Sequence, residues 1–417
     1  MMKYAVIAVL AVGVLMFSSL NVIKAEPNDD TKLSSDRLNP IWNRTWGGNK
    51  YNSLDSIAND DSYIYATGYS SDNGGNEKSL LLKYNKNGDN VYSRLFEKIN
   101  SSTWSISTNS IALDDGYVYL AGWIWSINPP NCNCIILKYD KDGNYCWNRT
   151  WGGLSFDSAY ALAVDGSGLY LAGETIMANH SNTLIIKYGK DGNELWNRTW
   201  IYYNNDTYVH DIINNGSDIY LCGETSGINS DIRCFTLKYD INGNYKWNKT
   251  YGIKNQEVGK SVKVDNSGLY IAGSTMSCGD NRTFILKYDF DGSLLWNRTW
   301  GWNDNGSSDP EYMTLDYQSN SYICGAVGNS IFITKFDANG IYLWNKTWKA
   351  NLVCANSITT DGSYLYIAGF YNNDALLLKT DVDGGNGSVP DLTSFIIPAV
   401  FIVAVFAVIV AYTRNKK

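Results

Sequence analysis

Two glutamates occupy equivalent places in successive segments of the sequence. Glu174 and Glu224 each follow a glycine in the string G-E-T. Two carboxylates at a suitable separation can perform acid–base or glycosidic chemistry. The alternative is that they cap loops or are simply solvated, because the same place in other segments holds Tyr69, Ser274 or Phe370.

Aromatic residues in polar segments form a second group of candidates. Flat aromatic rings exposed in polar loops can stack on sugar rings or anchor a protein partner. The alternative for each is packing into the rim of the fold. The candidates are Trp123, Trp125, Tyr202, Tyr203 and Trp302.

Other catalytic signatures are missing from the sequence. The two histidines, His180 and His210, form no metal-binding pair, and there is no nucleophile elbow or phosphate loop. Gly143 and Trp147 are four residues apart, whereas a sialidase-type Asp box needs three. The D-x-D-G strings are typical of hairpin turns and lack the later ligands of a calcium loop. We therefore expect no metal and no cofactor, and the sequence favours a protein that is not an enzyme.

The elements that position these candidates come from a repeat. A W-N-x-T string recurs, with a worn copy at Tyr92, and successive copies lie about 50 residues apart. A glycine that ends an apolar run, as at Gly122, and a lysine in an L-L-K-Y-like string, as at Lys83, each also occur seven times. The intact copies of the first string begin at Trp42, Trp147, Trp196, Trp247, Trp296 and Trp344.

Each unit contains four short runs of β-branched and aromatic residues separated by Asp, Asn and Gly turns, which predicts four antiparallel strands, a to d. The chain begins with an isolated d-type strand, NPIWNRTWGG, and the last unit lacks its own strand d. Pairing the two would remove exposed sheet edges. The predicted fold is therefore all-β, a seven-bladed β-propeller closed by the N-terminal strand.

The units resemble the bacterial and archaeal seven-bladed β-propeller repeat family. The resemblance rests on a tryptophan and a Gly-Gly followed by segments such as VDGSGLYLAG and VDNSGLYIAG. It implies the fold and says almost nothing about function. The DG-x-x-x-W string is also similar to the tryptophan-docking motif of quinoprotein dehydrogenases. Those proteins have eight blades, and this chain has no adjacent Cys-Cys pair, so no cofactor is implied.

Both ends of the chain carry apolar segments. The N-terminal one predicts a signal peptide, or alternatively an uncleaved anchor. The C-terminal one is uncharged and long enough to span a bilayer, with Arg and Lys after it, or alternatively it is a processing signal. The predicted organisation is signal peptide 1–25, linker 26–38, propeller 39–383, stalk 384–394, transmembrane helix 395–412 and cytoplasmic tail 413–417.

The formal net charge of −7 argues against binding nucleic acid. In a secreted chain, N-x-S/T sequons are candidate glycan acceptors, although those of the W-N-x-T strings, such as Asn345, can equally serve strand packing. Among eight cysteines, Cys222 and Cys234 are the best candidates for a disulfide. The best glycan candidates lie in loops, at Asn100, Asn205, Asn215, Asn281 and Asn305.

Strand alternation places the short a–b and c–d turns on one face of the disc, the turn face, and the b–c and d–a connections on the other, the loop face. Strings such as WIWSINPPNCN and ETIMANHSN predict long, varied connections on the loop face, where binding residues usually lie. We expect a single-pass membrane protein with an extracellular propeller that binds an envelope glycan or a protein partner. The alternatives are an extracellular polysaccharide hydrolase or lyase and an architectural envelope component without a ligand.

Overall fold

A computed structural model describes residues 36–48, 51–72, 75–97, 103–153, 155–203, 205–226, 231–252, 256–277, 280–301, 308–350 and 352–384. These residues form seven sheets, each built mainly of four antiparallel strands that are consecutive in the chain. The predicted all-β, seven-bladed propeller is confirmed.

The strands alternate with tight turns, and each blade is numbered by its order in the chain. Before blade 1 lie β1 (Asp36–Arg37) and β2 (Trp42–Trp46). Blades 1 to 3 comprise β3 (Asn52–Asn59), β4 (Tyr63–Ser71), β5 (Glu77–Asn85), β6 (Asn90–Phe96), β7 (Thr103–Leu113), β8 (Tyr117–Ile127), β9 (Pro130–Asp140), β10 (Tyr145–Trp151), β11 (Asp157–Asp165), β12 (Gly168–Met177), β13 (His180–Tyr188) and β14 (Glu194–Trp200). Blades 4 and 5 comprise β15 (Thr207–Asn214), β16 (Asp218–Ser226), β17 (Ile232–Asp240), β18 (Tyr245–Tyr251), β19 (Glu257–Val264), β20 (Leu269–Ser277), β21 (Asp280–Tyr288) and β22 (Leu294–Trp300). Blades 6 and 7 comprise β23 (Ser308–Leu315), β24 (Ser321–Val327), β25 (Ser330–Phe336), β26 (Tyr342–Lys349), β27 (Val353–Thr360), β28 (Tyr364–Tyr371) and β29 (Asp374–Asp381).

The N-terminal strand closes the ring, as predicted. Strand β2 pairs antiparallel with β29 and supplies the outer strand of blade 7, with Trp42 opposite Lys379. The preceding strand β1 adds a fifth, parallel strand to blade 6 beside β26. Between them Leu38 is fully buried against blades 6 and 7. The opening segment therefore joins the last two blades.

The repeated tryptophan and lysine join blades to their neighbours. In blade 3, Trp196 Nε1 and Lys187 Nζ donate hydrogen bonds to the same backbone oxygen, that of Ile241 in the c–d turn of blade 4, at 3.3 and 3.0 Å. Blade 7 repeats this arrangement with Trp42 and Lys379, which both donate to the oxygen of Lys86 in blade 1. The repeated residues thus serve blade docking.

The glycine of each c–d turn completes this contact. Gly243 has φ +79°, and a Cβ atom there would lie 2.9 Å from the ring of Trp196. Arg198 Nε donates to the oxygen of the same glycine at 2.8 Å. The close approach of the indole to the turn therefore requires a residue without a side chain.

The described residues contain no helix long and apolar enough to cross a membrane. The predicted signal peptide, 1–25, and the predicted transmembrane helix, 395–412, lie outside the described residues.

Docking of the opening segment predicts unequal effects of two neighbouring truncations. Leu38→Ala should lower the free energy of unfolding by about 3 kcal/mol, because it leaves a cavity between blades 6 and 7. Ile41→Ala should change it by about 0.5 kcal/mol or less, because that side chain is 52% exposed. Urea denaturation of both variants measures the difference. Equal effects would contradict docking of this segment.

The blade contact predicts a second difference, between two glycines of blade 4. Gly216 has φ +90°, and a Cβ atom there would meet nothing within 4 Å. Gly216→Ala should therefore lower the free energy of unfolding by about 1 kcal/mol, through backbone strain alone. Gly243→Ala should cost about 2 kcal/mol more, because the added methyl group pushes Trp196 away. The measurement is urea denaturation, and a Gly243→Ala variant as stable as Gly216→Ala would refute the role given to this glycine.

Candidate functional site in the central channel

The innermost strand of every blade carries a β-bulge at the same place. At each bulge one residue is left out of the pairing with strand b, and a bulge re-aims a side chain in this way. We call these seven residues the channel ring, and each is an acid, a base, a tyrosine or an asparagine that differs from the residue of the next blade. The ring consists of Asp55, Asn109, Tyr160, His210, Lys260, Glu311 and Asn356.

The channel ring lines a polar cavity of about 130 Å³. The residue after the bulge also lines the cavity in five blades, and in two of these a serine connects adjacent blades. Ser56 Oγ accepts a hydrogen bond from the backbone N–H of Ile111, and Ser110 Oγ accepts one from Leu162. These bonds satisfy backbone groups next to the bulge of the following blade.

Three blades depart from serine at that position, with Ala161, Asp211 and Tyr312, and the latter two close the channel towards the turn face. Asp211 accepts hydrogen bonds from Lys263 Nζ at 2.7 Å, Ser261 Oγ at 2.9 Å and the N–H of Val262 at 2.9 Å. Tyr312 reaches Asp211 from blade 6 with an oxygen separation of 3.4 Å. We call Asp211, Lys263 and Tyr312 the floor network. Because strand a runs from the loop face to the turn face, the ring lies on the loop-face side of this floor.

The floor network is internally compensated. Burial opposes the charge of Lys263, but Asp211 and Tyr312 more than offset this and raise the pKa of the ammonium group above its usual value. The ammonium group also lies 4.1 Å from the centre of the Tyr312 ring. Burial, with the Asp211 charge, raises the pKa of Tyr312 to about 12. The floor therefore offers a satisfied ion pair rather than a free charge.

Asp55 has only neutral hydrogen-bond donors. Ser53 Oγ donates to it at 2.9 Å and Asn356 Nδ2 at 3.3 Å. Burial in the channel, the largest effect, raises the pKa of Asp55 to about 6, and the charge of Glu77 adds to the shift. The ionised carboxylate is therefore held in the channel without a positive partner within hydrogen-bond reach.

His210 and Lys260 occupy the opposite side of the ring. Burial, together with the charge of Lys260, lowers the pKa of His210 to about 3, so the imidazole is neutral at physiological pH. Its side chain keeps 29% of its surface exposed to the channel. Its Nε2 atom, however, is buried and has no hydrogen-bond partner. Lys260 Nζ lies 3.6 Å from Glu311, longer than a hydrogen bond, and burial raises the pKa of Glu311.

The two predicted glutamates lie immediately behind the channel ring. Glu174 accepts a short hydrogen bond from Tyr160 and another from Ser181 Oγ at 2.6 Å. Glu224 Oε1 is 3.9 Å from His210 Nε2, and burial raises the pKa of Glu224. The structure therefore connects both glutamates to the ring, where they support Tyr160 and His210.

Two predicted loops are hairpins instead. Strand β8 continues to Ile127 and β9 starts at Pro130, so Trp123 and Trp125 lie on a strand. Trp123 stands opposite Cys134, and the Trp125 ring packs on Phe156 at 5.4 Å between ring centres. In the next blade the hairpin turns at two residues with positive φ, 178 and 179. Two-residue turns of this kind match the twist of the strands, which is why the strands extend so far.

The remaining aromatic candidates have different environments. Tyr202 packs between Trp200 at 5.1 Å and Tyr203 at 4.8 Å, whereas Tyr203 is 82% exposed. Trp302 lies outside the described residues. Tyr203 is therefore the one described member of this set whose ring is mostly free for a partner.

Exposed apolar side chains concentrate on the loop face of blades 2 to 4. Backbone contacts connect them, since Phe156 O accepts a hydrogen bond from the N–H of Ile176 at 3.2 Å. At the next connection His180 Nδ1 lies 3.2 Å from Asp206. We call this surface the loop-face patch, and its members are Ile127, Phe156, Ile176, Met177, Ile201 and Tyr203.

The predicted disulfide is not formed. Cys222 and Cys234 are free, buried thiols, because the register of β16 and β17 places Cys222 opposite Thr236 and Cys234 opposite Glu224. Burial raises the pKa of both thiols well above the usual value. They belong to the core between blades 4 and 5.

Three glycan candidates lie on the described surface. Asn215 is exposed in a turn, and its side-chain oxygen accepts the backbone N–H of Asp218. Asn205 and Asn281 are partly exposed. Asn100 and Asn305 lie outside the described residues. The sequon at Asn345 differs, because β1 covers it and leaves only 3% of the residue exposed.

The channel ring escaped the sequence reasoning, apart from the two supporting glutamates. Its signal is present in the sequence: one polar position near the start of strand a differs between successive units. No group of three or more His, Cys, Asp or Glu side chains suited to a metal ion occurs within the described ranges. The arrangement is suited to hydrogen bonding and charge pairing with a small polar molecule.

Comparisons with known proteins show the fold alone. No protein-family model matches the sequence. No curated protein matches it either. The structure is similar to a chain of Drosophila Plexin A in complex with Semaphorin 1b, with a TM-score of 0.54, 8% identity and coverage of 84% of this chain and 88% of that chain. It is also similar to the extracellular domains 1–2 of Drosophila Semaphorin 1b (TM-score 0.52, 10% identity, 84% and 88% coverage) and to the Dos1 propeller (TM-score 0.51, 12% identity, 82% and 95% coverage). Membership in the bacterial and archaeal repeat family stays a prediction.

The raised pKa of Asp55 predicts a pH-dependent gain on substitution. Above pH 6 the folded protein holds an ionised carboxylate at a cost, and this cost fades as the pH falls from about 6 towards 3.8. Asp55→Asn should therefore raise the free energy of unfolding by about 2 kcal/mol at pH 7.5, a value that allows for partial solvation of the carboxylate. The increase should be smaller at pH 4.5. Urea denaturation at both pH values measures this, with Asp61→Asn on the exposed turn as control. A destabilised Asp55→Asn protein at pH 7.5 would refute it.

Proposed function

We propose that this protein is a non-enzymatic cell-surface recognition propeller that binds a protein partner through the loop-face patch. The observation that carries the proposal is the exposure of large apolar side chains on one side of one face. Ile127 is 56% exposed, Met177 48%, Ile201 56% and Tyr203 82%. Contiguous exposed apolar surface of this kind marks interaction sites in soluble domains.

The composition of the loop-face patch favours a protein over a glycan. Sugar recognition by stacking needs open aromatic planes, but Trp125 packs on Phe156 and Tyr202 packs between two other rings. The exposed members are mainly aliphatic, and aliphatic and aromatic anchors together are what protein interfaces bury. An envelope glycan is therefore the alternative partner, and its binding is an outcome of the test below.

Fold neighbours are compatible with this role. The similar Plexin A chain is in complex with a protein, Semaphorin 1b. This supports the proposal only by analogy, because propellers with one architecture host unrelated functions.

We place the propeller outside the cell, held by a single C-terminal span. The sequence pattern of residues 395–412, followed by Arg and Lys, supports this topology. The surface exposure of the Asn215 sequon fits an extracellular setting. A polysaccharide-degrading activity is less well supported, because Glu174 is hydrogen bonded to Tyr160 and Ser181, and a cavity of about 130 Å³ is small for an oligosaccharide.

Photo-crosslinking in cells tests the proposal. Tyr203→p-benzoylphenylalanine in the full chain should yield a specific, protease-sensitive adduct, because its ring lies in the loop-face patch. Tyr317→p-benzoylphenylalanine is the matched control, since Tyr317 is 91% exposed but lies on the turn face. The measurement is the mass of the adduct after irradiation.

Three outcomes would contradict a protein partner at the loop face. An adduct removed by glycosidases and not by proteases would indicate a glycan. Adducts of equal yield from both positions would indicate non-specific contact. No adduct from Tyr203 in cells that display the protein would favour the architectural role.

A further inference from the structure

The channel ring and the floor network form a cup that is separate from the loop-face patch. The floor network closes it towards the turn face, and its own charges are compensated by the contact of Lys263 with Asp211 at 2.7 Å. What remains open to a ligand is the ring itself. A ligand can therefore occupy the cup whether or not a protein binds the patch.

The ring separates its charges by position. Asp55 belongs to blade 1 and Lys260 to blade 5, three blades apart, so they face each other across the channel. Asn356 stands beside Asp55, and His210 stands beside Lys260. One side of the cup therefore presents a carboxylate next to a side-chain amide, and the other side presents an ammonium group next to a neutral imidazole.

Asp55 receives neutral donors alone, and Lys260 has one long ion pair. Asp55 receives hydrogen bonds from Ser53 and Asn356, which are neutral donors. Lys260 Nζ is 3.6 Å from its nearest carboxylate, that of Glu311. His210 lines the cup beside Lys260, with its buried Nε2 atom turned towards Glu224 behind the ring at 3.9 Å.

A simple ion fits this site poorly. An anion at Lys260 would leave the Asp55 carboxylate across the cup with neutral donors alone. A cation at Asp55 would be repelled by Lys260 across the cup. A molecule that carries both charges at opposite ends meets each with the right sign.

The size of the cup limits the molecule. The cavity measures about 130 Å³. A cavity of roughly 150 Å³ holds a molecule with about six non-hydrogen atoms. The lining is polar throughout the ring, so the occupant must be polar as well.

We propose that the channel ring binds a small zwitterion of the amino-acid class, with its ammonium group at Asp55 and Asn356 and its carboxylate at Lys260 and His210. The ammonium group donates to Asp55, and the ligand carboxylate accepts from Lys260. The neutral ring of His210 lines the cup at the carboxylate end of the ligand. The ligand's net charge of zero leaves the channel charge unchanged, so binding adds no uncompensated charge to the interior.

Calorimetric titration of the full chain in detergent tests this with four defined probes. Glycine and β-alanine carry both charges, whereas acetate and methylammonium each carry one. At least one zwitterion should give saturable heat and raise the Tm, and its affinity should exceed that of either single-charge probe by at least tenfold. Lys260→Met and Asp55→Asn should each weaken that affinity by at least tenfold.

Matched controls keep the test decisive. Lys349→Met and Asp61→Asn make the same changes at exposed positions and should leave the affinity unchanged. The Tm of each variant without probe shows that it is folded, and Asp55→Asn is expected to be the more stable protein. The proposal is overturned if neither zwitterion binds, if acetate or methylammonium binds as tightly, or if the two ring variants bind like their controls.

Discussion

The extra residue in each innermost strand is the constraint on which the channel depends. Strand a is the inner edge of each blade and pairs with strand b on one side only. Its other side faces the narrow channel axis, where backbone groups would be left without hydrogen-bond partners. The bulge moves one residue out of the ladder, and a hydroxyl or carboxylate from the preceding blade takes up a freed N–H, as Ser56 does for Ile111 and Asp211 does for Val262. Because all seven blades do this at one height, seven side chains meet at the axis in a single layer.

One set of repeated residues docks the blades, and a second set of varied residues lines the channel. The repeated tryptophan, lysine and glycine connect blades to their neighbours, as the indole hydrogen bonds of Trp42, Trp196 and Trp247 show. The bulged positions differ from blade to blade, because the interior of the channel does not impose one residue type. In a repeat architecture, the blade-docking residues can therefore maintain stability while the channel residues change in type and charge.

The sequence predicted the fold well because its landmarks are tied to blade docking. Trp196 and Lys187 make a blade-docking contact that recurs around the ring, so these residue types stand at a regular spacing that can be read directly. The sequence did not predict the channel ring, because a bulge depends on the register between two strands. No single residue type indicates that register. Trp125 was expected to be exposed in a loop, but a tight turn extends its strand and packs its ring on Phe156. Cys222 and Cys234 lie on neighbouring strands of one blade, but the strand register offsets them by two residues, so they do not stand opposite each other.

The short strand β1 has a consequence for the timing of modification. It lies along the outer edge of blade 6, where Asn345 is buried and neither atom of its side-chain amide has a hydrogen-bond partner. An enzyme that attaches sugar needs that nitrogen in the open, so it can act only before the first residues of the chain have folded back on the last blades. A sugar at Asn345 would then prevent β1 from pairing with β26. Glycosylation of Asn345 would therefore show that the sugar was attached before the N-terminal segment docked on blade 6.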